Sequence, residues 1–302
     1  MPEIDLASRV MLLCDIDGVT VESPHEESWN DAANEWGLFN NDSDFNKFLL
    51  ERVVGQPGME GALAILGMYR SDDAKTYFER ERVRKHKEKE VAAYFRNPVK
   101  QRHLDRRIAN GEFKVYDDII NIILRARLEG IPAGAISASE NAEKLLKNVS
   151  AEEVAARVGL NGIEMRGLNI TGDTTIYDMF LSAALGAKSH WHGLDHEDVK
   201  LYHYCLARGM LQQARGQDGI PYTVVFEDAP KGIGIISDKD FYCIGISRKT
   251  NSGIMATKED LAKAGAVIAY DEADLEEKGY EGVKDDISGI VSAVEAIQNA
   301  TA

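Results

Sequence analysis

The sequence predicts an α/β protein built on a doubly wound parallel sheet, with a helical domain inserted just after the first strand. Three observations lead to this prediction. Short apolar runs recur along the 302-residue chain, amphipathic helical stretches separate them, and one long region with helical periodicity contains no convincing strand. Strands that alternate with helices form parallel sheets with right-handed crossovers.

The predicted strands are apolar on both faces, as expected for strands buried inside a parallel sheet. The first covers residues 10–14 and ends abruptly at Asp15-Ile16-Asp17-Gly18. The others are predicted at residues 131–136, 163–170, 222–226 and 241–246, with a further candidate at 266–269.

The clearest predicted helix covers residues 116–129. Asp117 or Asp118 lies near its start, and Gly130 is placed to end it. The apolar residues that form one face of this helix are Ile119, Ile120, Ile123, Leu124 and Leu128.

The helical region predicts a domain of residues 23–111, which leaves residues 1–22 and 112–302 for the sheet domain. Its later part, residues 79–107, carries 11 Lys and Arg against 5 Asp and Glu. This basic stretch is either a solvated helix face or a lid that attracts an anionic substrate. Residues 150–199 separate their flanking elements more widely than a simple crossover needs, which predicts an insertion or a long pair of loops.

Composition argues against several classes of protein. With 35 Lys and Arg against 50 Asp and Glu, the formal net charge is −15, unlike that of a general nucleic-acid-binding protein. No run of about 20 apolar residues predicts a membrane span, and the N-terminal segment lacks the pattern of a signal peptide. Three widely separated cysteines argue against a disulfide framework and predict a cytoplasmic protein. We expect it to be a monomer or a homodimer.

Polar residues follow three of the predicted strands. Asp15 and Asp17 follow the first, Ser137 follows the second, and Glu227 and Asp228 follow a later one. Ligands of an open parallel sheet bind beyond the carboxyl ends of its strands. The mutual repulsion of clustered carboxylates favours either a shared proton or a bound cation. Hard oxygen ligands favour Mg²⁺, which normally works beside a phosphate. The alternative is that these acids only cap loops.

Two other chemistries are less well supported. Cys14 is interpreted as a small core residue rather than a nucleophile, because it alternates away from the acids. A cluster of histidines could bind a transition metal, but we interpret it as part of a polar loop. These histidines are His190, His192, His196 and His203.

The motifs at the strand ends resemble those of the haloacid dehalogenase superfamily. Asp15-Ile-Asp17-Gly-Val is similar to motif I, Ser137 stands in the place of motif II, and residues 226–233 (FEDAPKGI) are similar to motif IV of the β-phosphoglucomutase-like branch. The resemblance implies a Rossmann-like core with a helical cap inserted after motif I. It continues through His25, residues 29–38 (WNDAANEWGL), Val54-Gly55 and Ala264-Gly-Ala266.

This resemblance implies phosphoryl transfer through an aspartyl-phosphate. Asp15 would be the nucleophile, and Asp17 would protonate the leaving oxygen and later activate water. Mg²⁺ would be held by Asp15, by the backbone carbonyl of Asp17 and by Asp228, with support from Glu227. Ser137 would donate a hydrogen bond to a phosphoryl oxygen.

Ser137 also has a second interpretation, because Ser137-Ala-Ser139-Glu140 has the spacing of a helix capping box. The two roles are compatible, since a helix N-terminus also binds phosphate. The predicted substrate-binding residues are Gly18, His25, Gln56, Ser137 and Ala138, and the loop of residues 56–60 is expected to face the substrate.

The motif III lysine of the family is harder to place. If Tyr202 is aligned with the aromatic residue that usually follows this lysine, His196 occupies the lysine position. Lys200, which would open a helix over residues 201–211, is the preferred candidate for the missing charge. The alternatives are Lys188 and Lys231.

The leading functional prediction is a Mg²⁺-dependent phosphatase that hydrolyses a small phosphorylated metabolite. A sugar-phosphate mutase is the second, because Val19 after Asp-Gly resembles the mutase version of motif I. Residues 54–60 contain no arginine to hold a second phosphate, which argues against a mutase. A non-catalytic phospholigand-binding protein of the same fold is the third possibility.

Overall fold

The computed structural model describes ten segments of the chain, which form two compact units. Unit 1 comprises Met1–Glu22 and Lys114–Ala302, and unit 2 comprises Ser23–Phe113. The described segments are residues 5–38, 48–49, 52–53, 58–68, 88–186, 196–216, 222–237, 239–250, 253–254 and 256–301.

Strands occur in unit 1 among the described residues. They are β1 (Val10–Asp15), β2 (Val21–Glu22), β3 (Lys114–Val115), β4 (Ala133–Ser137), β5 (Ser182–Leu185), β6 (Tyr222–Glu227), β7 (Phe241–Ile246), β8 (Lys249–Thr250), β9 (Gly253–Ile254) and β10 (Ile268–Tyr270).

Helices occur in both units. Unit 2 contains α2 (His25–Glu35), α3 (Gly58–Met68), α4 (Glu88–Tyr94), a π-helical turn (Phe95–Lys100) and α5 (Gln101–Ala109). Unit 1 contains α1 (Leu6–Arg9), α6 (Asp117–Leu128), α7 (Ala142–Lys147), α8 (Ala151–Arg157), α9 (Gly162–Gly167), a 3₁₀ turn (Ile176–Met179), α10 (His196–Arg215), α11 (Pro230–Ile236), α12 (Lys258–Lys263) and α13 (Glu272–Thr301, interrupted at Gly279).

Six strands of unit 1 form one parallel sheet in the order β10-β7-β6-β1-β4-β5. All six residues of β1 are buried, as expected for a strand that is covered on both faces. The predicted α/β fold class is therefore confirmed. The strand predictions at residues 10–14, 131–136, 222–226, 241–246 and 266–269 correspond to β1, β4, β6, β7 and β10.

Helices cover both faces of this sheet. On one face, Met11 and Leu13 of β1 share a buried cluster with Tyr204 of α10, Ile233 of α11 and Leu261 of α12. The alternate residues of β1 point to the other face and are buried as well. Alternation of strand and helix along the chain thus produces the doubly wound arrangement.

Helix α6 forms where its pattern predicts it. Tyr116 occupies the N-cap position, and Asp117 and Asp118 lie in the first turn, where carboxylates interact favourably with the helix dipole. Gly130 follows the helix with a φ of 82°, a conformation that favours glycine.

The predicted strand at residues 163–170 is wrong, because α9 begins at Gly162. Asn161 Oδ1 accepts hydrogen bonds from the backbone N–H groups of Ile163 at 2.8 Å and Glu164 at 3.1 Å. Glu164 Oε2 accepts one from Asn161 N at 2.7 Å. This capping box fixes a helix start where the apolar residues alone suggested a strand.

The strand at this edge of the sheet is instead β5, which no sequence pattern predicted. Its residues, Ser182-Ala-Ala-Leu185, are small, and alanine is a poor strand former. Within the described residues, β5 pairs only with β4. The wide spacing over residues 150–199 is filled, where the structure describes it, by α8, α9, the 3₁₀ turn, β5 and the start of α10.

Unit 2 is helical wherever the structure describes regular elements in it. Trp29 of α2 stacks on Phe95 with ring centroids 5.8 Å apart, inside a buried apolar cluster.

The arginines of α5 form ion pairs within unit 2. Arg102 pairs with Glu35, and Arg106 and Arg107 both pair with Asp31. For the described part of the basic stretch, this pairing favours the interpretation as a solvated helix face. Residues 79–87 lie outside the described residues.

None of the helices in the described segments has the length and apolar character needed to cross a membrane. All three cysteines are free, and Cys14 and Cys243 are buried. Burial, with a smaller effect of the neighbouring Asp15, raises the pKa of the Cys14 thiol far above its usual value. Cys14 is therefore a core residue.

The capping box of α9 gives a direct test of the corrected assignment. We expect Asn161→Ala to lower the free energy of unfolding by about 1 kcal/mol, because two backbone N–H groups lose their acceptor. Asn161→Ser keeps an acceptor oxygen and should stay within about 0.5 kcal/mol of the wild type. Urea denaturation measures both variants. Equal stability of all three proteins would contradict the assignment.

Candidate active site

The carboxyl ends of three adjacent strands bring the polar residues of the candidate site together. Asp15 ends β1, Glu227 ends β6 and Ser137 ends β4. The register pairs Asp15 with the residue before Ser137, and it pairs the residue before Asp15 with the residue before Glu227. The parallel sheet therefore places a hydroxyl on one side of Asp15 and a carboxylate on the other.

Three carboxylates meet at this edge. Asp15, Glu227 and Asp228 each offer an oxygen atom, and these oxygens all lie within 4.8 Å of one another. Asp15 is 9% exposed and Glu227 is fully buried. Because three carboxylates this close repel one another, cations or bound protons must offset their negative charge.

Lys200 provides one compensating charge. Its Nζ donates to Glu227 Oε1 at 2.9 Å and lies 3.8 Å from Asp15 Oδ2. Helix α10 begins at His196, so Lys200 lies in the second turn and the prediction that it opens the helix is wrong by one turn. Lys188 lies outside the described residues, and Lys231 is an exposed residue of α11.

Tyr204 belongs to the same cluster, although sequence reasoning missed it. It is fully buried one helical turn after Lys200, and its hydroxyl donates to Glu227 Oε2. Ala229 N donates to Glu227 Oε1 at 3.1 Å. Both carboxylate oxygens of Glu227 therefore accept hydrogen bonds from the protein. The four-residue spacing from Lys200 was the signal that could have identified Tyr204.

Two glycines make room for this packing. A Cβ atom on Gly232 would lie 2.4 Å from Glu227 Cδ and 2.6 Å from Lys200 Nζ. A Cβ atom on Gly18 would lie 2.0 Å from Asp228 Oδ2, and Gly18 has a φ of +88°. No other residue type fits these positions without displacing a charged group.

Asp17 lies in the loop between β1 and β2. Gly18 N donates to Val21 O at 2.8 Å, and Thr20 Oγ1 donates to Asp15 O at 2.9 Å, which closes the loop on the end of β1. The side chain of Asp17 is half-buried and close enough to raise the pKa of Asp228. Its carboxylate does not belong to the group of three whose oxygens all lie within 4.8 Å of one another.

Ser137 does not cap a helix. Its Oγ accepts a hydrogen bond from Ser139 N at 3.0 Å, whereas α7 starts only at Ala142 with Asn141 as its N-cap. The predicted capping box over residues 137–140 is therefore wrong, because the chain turns before the helix begins. Ala138 lies in the bend directly after Ser137 and is half-buried.

His25 and Gln56 are the two predicted substrate-binding residues in the helical region, and only His25 is among the described residues. His25 begins α2 in unit 2, where its Nδ1 lies 2.5 Å from Lys100 Nζ. Burial and the Lys100 cation lower the pKa of His25 well below its usual value. Gln56 lies outside the described residues, and the predicted substrate-facing loop of residues 56–60 is helical from Gly58 onward.

The predicted histidine cluster is described only in part. His203 is buried, with Nδ1 2.8 Å from Val199 O and Nε2 3.0 Å from Gly186 O. Its ring thus joins α10 to the end of β5. His190 and His192 lie outside the described residues, as does the side chain of His196.

Electrostatics distinguish the members of the cluster. Burial, with the nearby Glu227 carboxylate, raises the pKa of Asp15 well above its usual range, and the same causes raise the pKa of Asp228 to about 8. Burial alone would lower the pKa of Lys200, but Glu227 and Asp15 raise it above its ordinary value. Lys200 therefore stays protonated, while Asp15 and Asp228 compete for protons.

These residues fit a hard divalent cation. The donor set contains only oxygen, and when its three carboxylates are ionised its net charge is negative even after Lys200 is counted. Because the oxygens of Glu227 already accept three hydrogen bonds, Asp15 and Asp228 are the better ligands. A cation there would replace the protons that Asp15 and Asp228 otherwise retain.

Solved structures with similar folds are known. An archaeal β-phosphoglucomutase from the hyperthermophile Pyrococcus sp. strain ST 04 is 22% identical, with a TM-score of 0.60 over 93% of this chain and 99% of that chain. A protein of Haemophilus somnus described as a predicted phosphoglycolate phosphatase is 13% identical, with a TM-score of 0.53 over 89% and 95%. CbbY of Rhodobacter sphaeroides, in complex with xylulose-1,5-bisphosphate, is 16% identical, with a TM-score of 0.50 over 88% and 98%.

The likeness is to the fold, because the three sequence identities are low. No family model matches the sequence. No curated protein matches it by sequence either. The chain thus has the fold of β-phosphoglucomutase and related phosphatase structures, and the resemblance predicted from the motifs is confirmed at the level of the fold.

Gly232 and Gly234 form a matched pair of tests within α11. We expect Gly232→Ala to lower the free energy of unfolding by about 1–3 kcal/mol, because its Cβ overlaps Glu227 and Lys200. The nearest atom to a Cβ on Gly234 is 4.0 Å away, so Gly234→Ala should be neutral or stabilising by up to about 1 kcal/mol. Thermal unfolding compares the two. The opposite order would contradict the described packing.

The raised pKa of Asp228 predicts a pH dependence. Its pKa is about 8 in the folded protein, whereas an unfolded chain has an aspartate pKa of about 3.9. Between these values only the folded state keeps the proton, so this group lowers the free energy of unfolding as pH rises. Cation binding removes that proton. We therefore expect Mg²⁺ to raise the melting temperature more near pH 8 than near pH 6.

Thermal melts of the wild type and Asp228→Asn, with Mg²⁺ or EDTA at matched ionic strength, check this expectation. The variant should lose the part of this pH dependence that Asp228 contributes, because it has no proton to exchange at this position. A stabilisation that shrinks with rising pH, or one that survives unchanged in the variant, would refute it.

Proposed function

We propose that this protein is a Mg²⁺-dependent phosphomonoester hydrolase of the haloacid dehalogenase superfamily. The observation that carries the proposal is the position of Lys200 Nζ, 3.8 Å from Asp15 Oδ2, with Ser137 and Glu227 on the neighbouring strand ends. An aspartate can attack a phosphate dianion only where nearby positive charge offsets their repulsion. Lys200 lies where it can supply that charge.

The reaction follows from the roles of two aspartates. An Asp15 carboxylate oxygen attacks phosphorus, the bond from phosphorus to the leaving oxygen breaks, and Asp17 gives that oxygen its proton. The ionised Asp17 then takes a proton from water, whose oxygen attacks phosphorus and releases inorganic phosphate from Asp15. One water molecule is consumed, and an alcohol and phosphate are produced.

Other residues hold the reacting groups. Ser137 donates its hydroxyl hydrogen to a phosphoryl oxygen, and Lys200 contacts both the phosphate and Asp15. Glu227 and Tyr204 keep Lys200 in place. When Mg²⁺ is bound by Asp15, Asp228 and the carbonyl of Asp17, it supplies positive charge to the phosphoryl oxygens and to the nucleophile.

The substrate in this proposal is a small phosphorylated metabolite. CbbY has been crystallised with a sugar bisphosphate, and the Pyrococcus protein is a β-phosphoglucomutase, which supports this class of ligand. We assign unit 2 the role of a cap that excludes water from the reacting phosphate and selects the substrate. Three free thiols fit a reducing cytoplasm.

A sugar-phosphate mutase is the second candidate. Val19 after motif I and the fold shared with the Pyrococcus β-phosphoglucomutase favour it. The lack of an arginine in residues 54–60 disfavours it, because a mutase must hold a second phosphate.

Replacement of the nucleophile tests the proposal. We expect the wild type to hydrolyse p-nitrophenyl phosphate with Mg²⁺ and to lose this activity in EDTA. Asp15→Asn should lower kcat by roughly 10³-fold or more, because the amide cannot attack phosphorus. Asp285→Asn changes an exposed aspartate of α13 in the same way and should keep wild-type activity.

Two results would decide between the alternatives. An inactive wild type that still binds phosphorylated ligands would favour the non-catalytic protein. An Asp15→Asn variant as active as the wild type would refute the assignment of Asp15 as the nucleophile. A requirement for a sugar bisphosphate activator, with isomerised sugar phosphate as the product, would favour the mutase. A panel of phosphorylated metabolites then identifies the substrate.

A further inference from the structure

Arg248 is a fully buried cation outside the cluster described above. It follows the end of β7 by two residues and is 1% exposed. Its Nη1 and Nη2 donate to the two carboxylate oxygens of Asp118 at 2.6 and 2.7 Å. A buried charge is costly unless its partner is well placed, and this two-bond geometry adds specificity as well as strength to the pairing.

Arg248 also reaches the loop that follows β1. Its Nη2 donates to Val19 O at 3.3 Å, and its guanidinium carbon lies 4.0 Å from the centroid of the Tyr116 ring. Tyr116 N in turn donates to Thr20 O at 3.0 Å. The successive carbonyl groups of Val19 and Thr20 therefore accept hydrogen bonds from residues outside the loop. We call Arg248, Asp118 and Tyr116 the arginine anchor.

The anchored loop is the one that carries Asp17. Val19 and Thr20 are both fully buried, so their carbonyl groups need protein donors. The arginine anchor supplies such donors from residues that follow β7 and precede α6. On its other side, the loop closes on the end of β1 through the bond from Thr20 Oγ1 to Asp15 O. The loop position thus depends on both β1 and the anchor.

We propose that Arg248 is a positioning residue for Asp17. The inference rests on the proposed function, in which Asp17 protonates the leaving oxygen. Displacement of the loop moves Asp17 but leaves Asp15, Ser137 and Lys200 on their own strands and helix. Loss of the anchor should therefore weaken proton donation more than phosphate binding.

Substrates with different leaving groups separate these effects. p-Nitrophenolate leaves without a proton, whereas the alkoxide from glycerol phosphate requires one. Arg248→Lys keeps the charge but cannot form two parallel bonds to Asp118 or stack as a plane on Tyr116. We expect its kcat for glycerol phosphate to fall at least about tenfold more than its kcat for p-nitrophenyl phosphate, with each KM within about threefold of the wild type.

Arg157→Lys is the matched control. Arg157 also forms a two-bond pair, through Nε and Nη2, with Asp117, the residue before Asp118, at 2.7 and 2.8 Å. Asp117 and Arg157 are both outside the anchor. This variant should keep the wild-type ratio of the two kcat values.

Equal losses on both substrates in a folded Arg248→Lys protein would overturn the inference, since they would show a purely structural role. If Arg248→Lys does not fold, Asp118→Asn weakens the same anchor and is measured in the same way, with the same outcomes. A wild type inactive on both substrates would instead overturn the proposed function, and this inference with it.

Discussion

The carboxyl group of Glu227 has no exposed surface at the end of β6, and much of the site depends on the hydrogen-bond donors around it. Glu227 accepts hydrogen bonds from Lys200, Tyr204 and Ala229 N. Removal of an unpaired carboxylate from water costs several kcal/mol, so these donors are a condition of the fold. Helix α10 must therefore present a lysine and a tyrosine, one turn apart, to the end of this strand.

The same constraint explains the residues around the site. Gly232 has no side chain because Glu227 and Lys200 occupy the space a Cβ would need. Lys200 is held by Glu227 and thereby stays within 3.8 Å of Asp15, which has no other lysine beside it in the described part of the chain. In the proposed function, the buried glutamate thus acts on Asp15 through the lysine, and it supports the site rather than binding the cation.

Sequence patterns predicted the features that depend on local periodicity. Apolar runs ending in polar residues located β1, β4 and β6, and with them the strand ends that carry the site. The prediction failed where local signals conflict or are weak: the Asn161 capping box overrides an apolar run, and β5 is built from small residues. Tyr204 and Arg248 were missed because their partners lie 23 and 130 residues away, and pattern analysis of a single sequence does not reveal such pairs.

The carboxylates of the cluster differ in environment, and this difference assigns their roles. Both oxygens of Glu227 accept hydrogen bonds from the protein, and these bonds hold the side chain in place. Asp15 and Asp228 have fewer donors, and their raised pKa values show that each charge is costly in the protein alone. In the proposed function, a divalent cation held by Asp15 and Asp228 would replace these protons and would leave Asp15 ionised for its attack on phosphorus. Binding of the cation and ionisation of Asp15 would then be the same electrostatic event, which follows from one buried glutamate beside two aspartates with fewer donors.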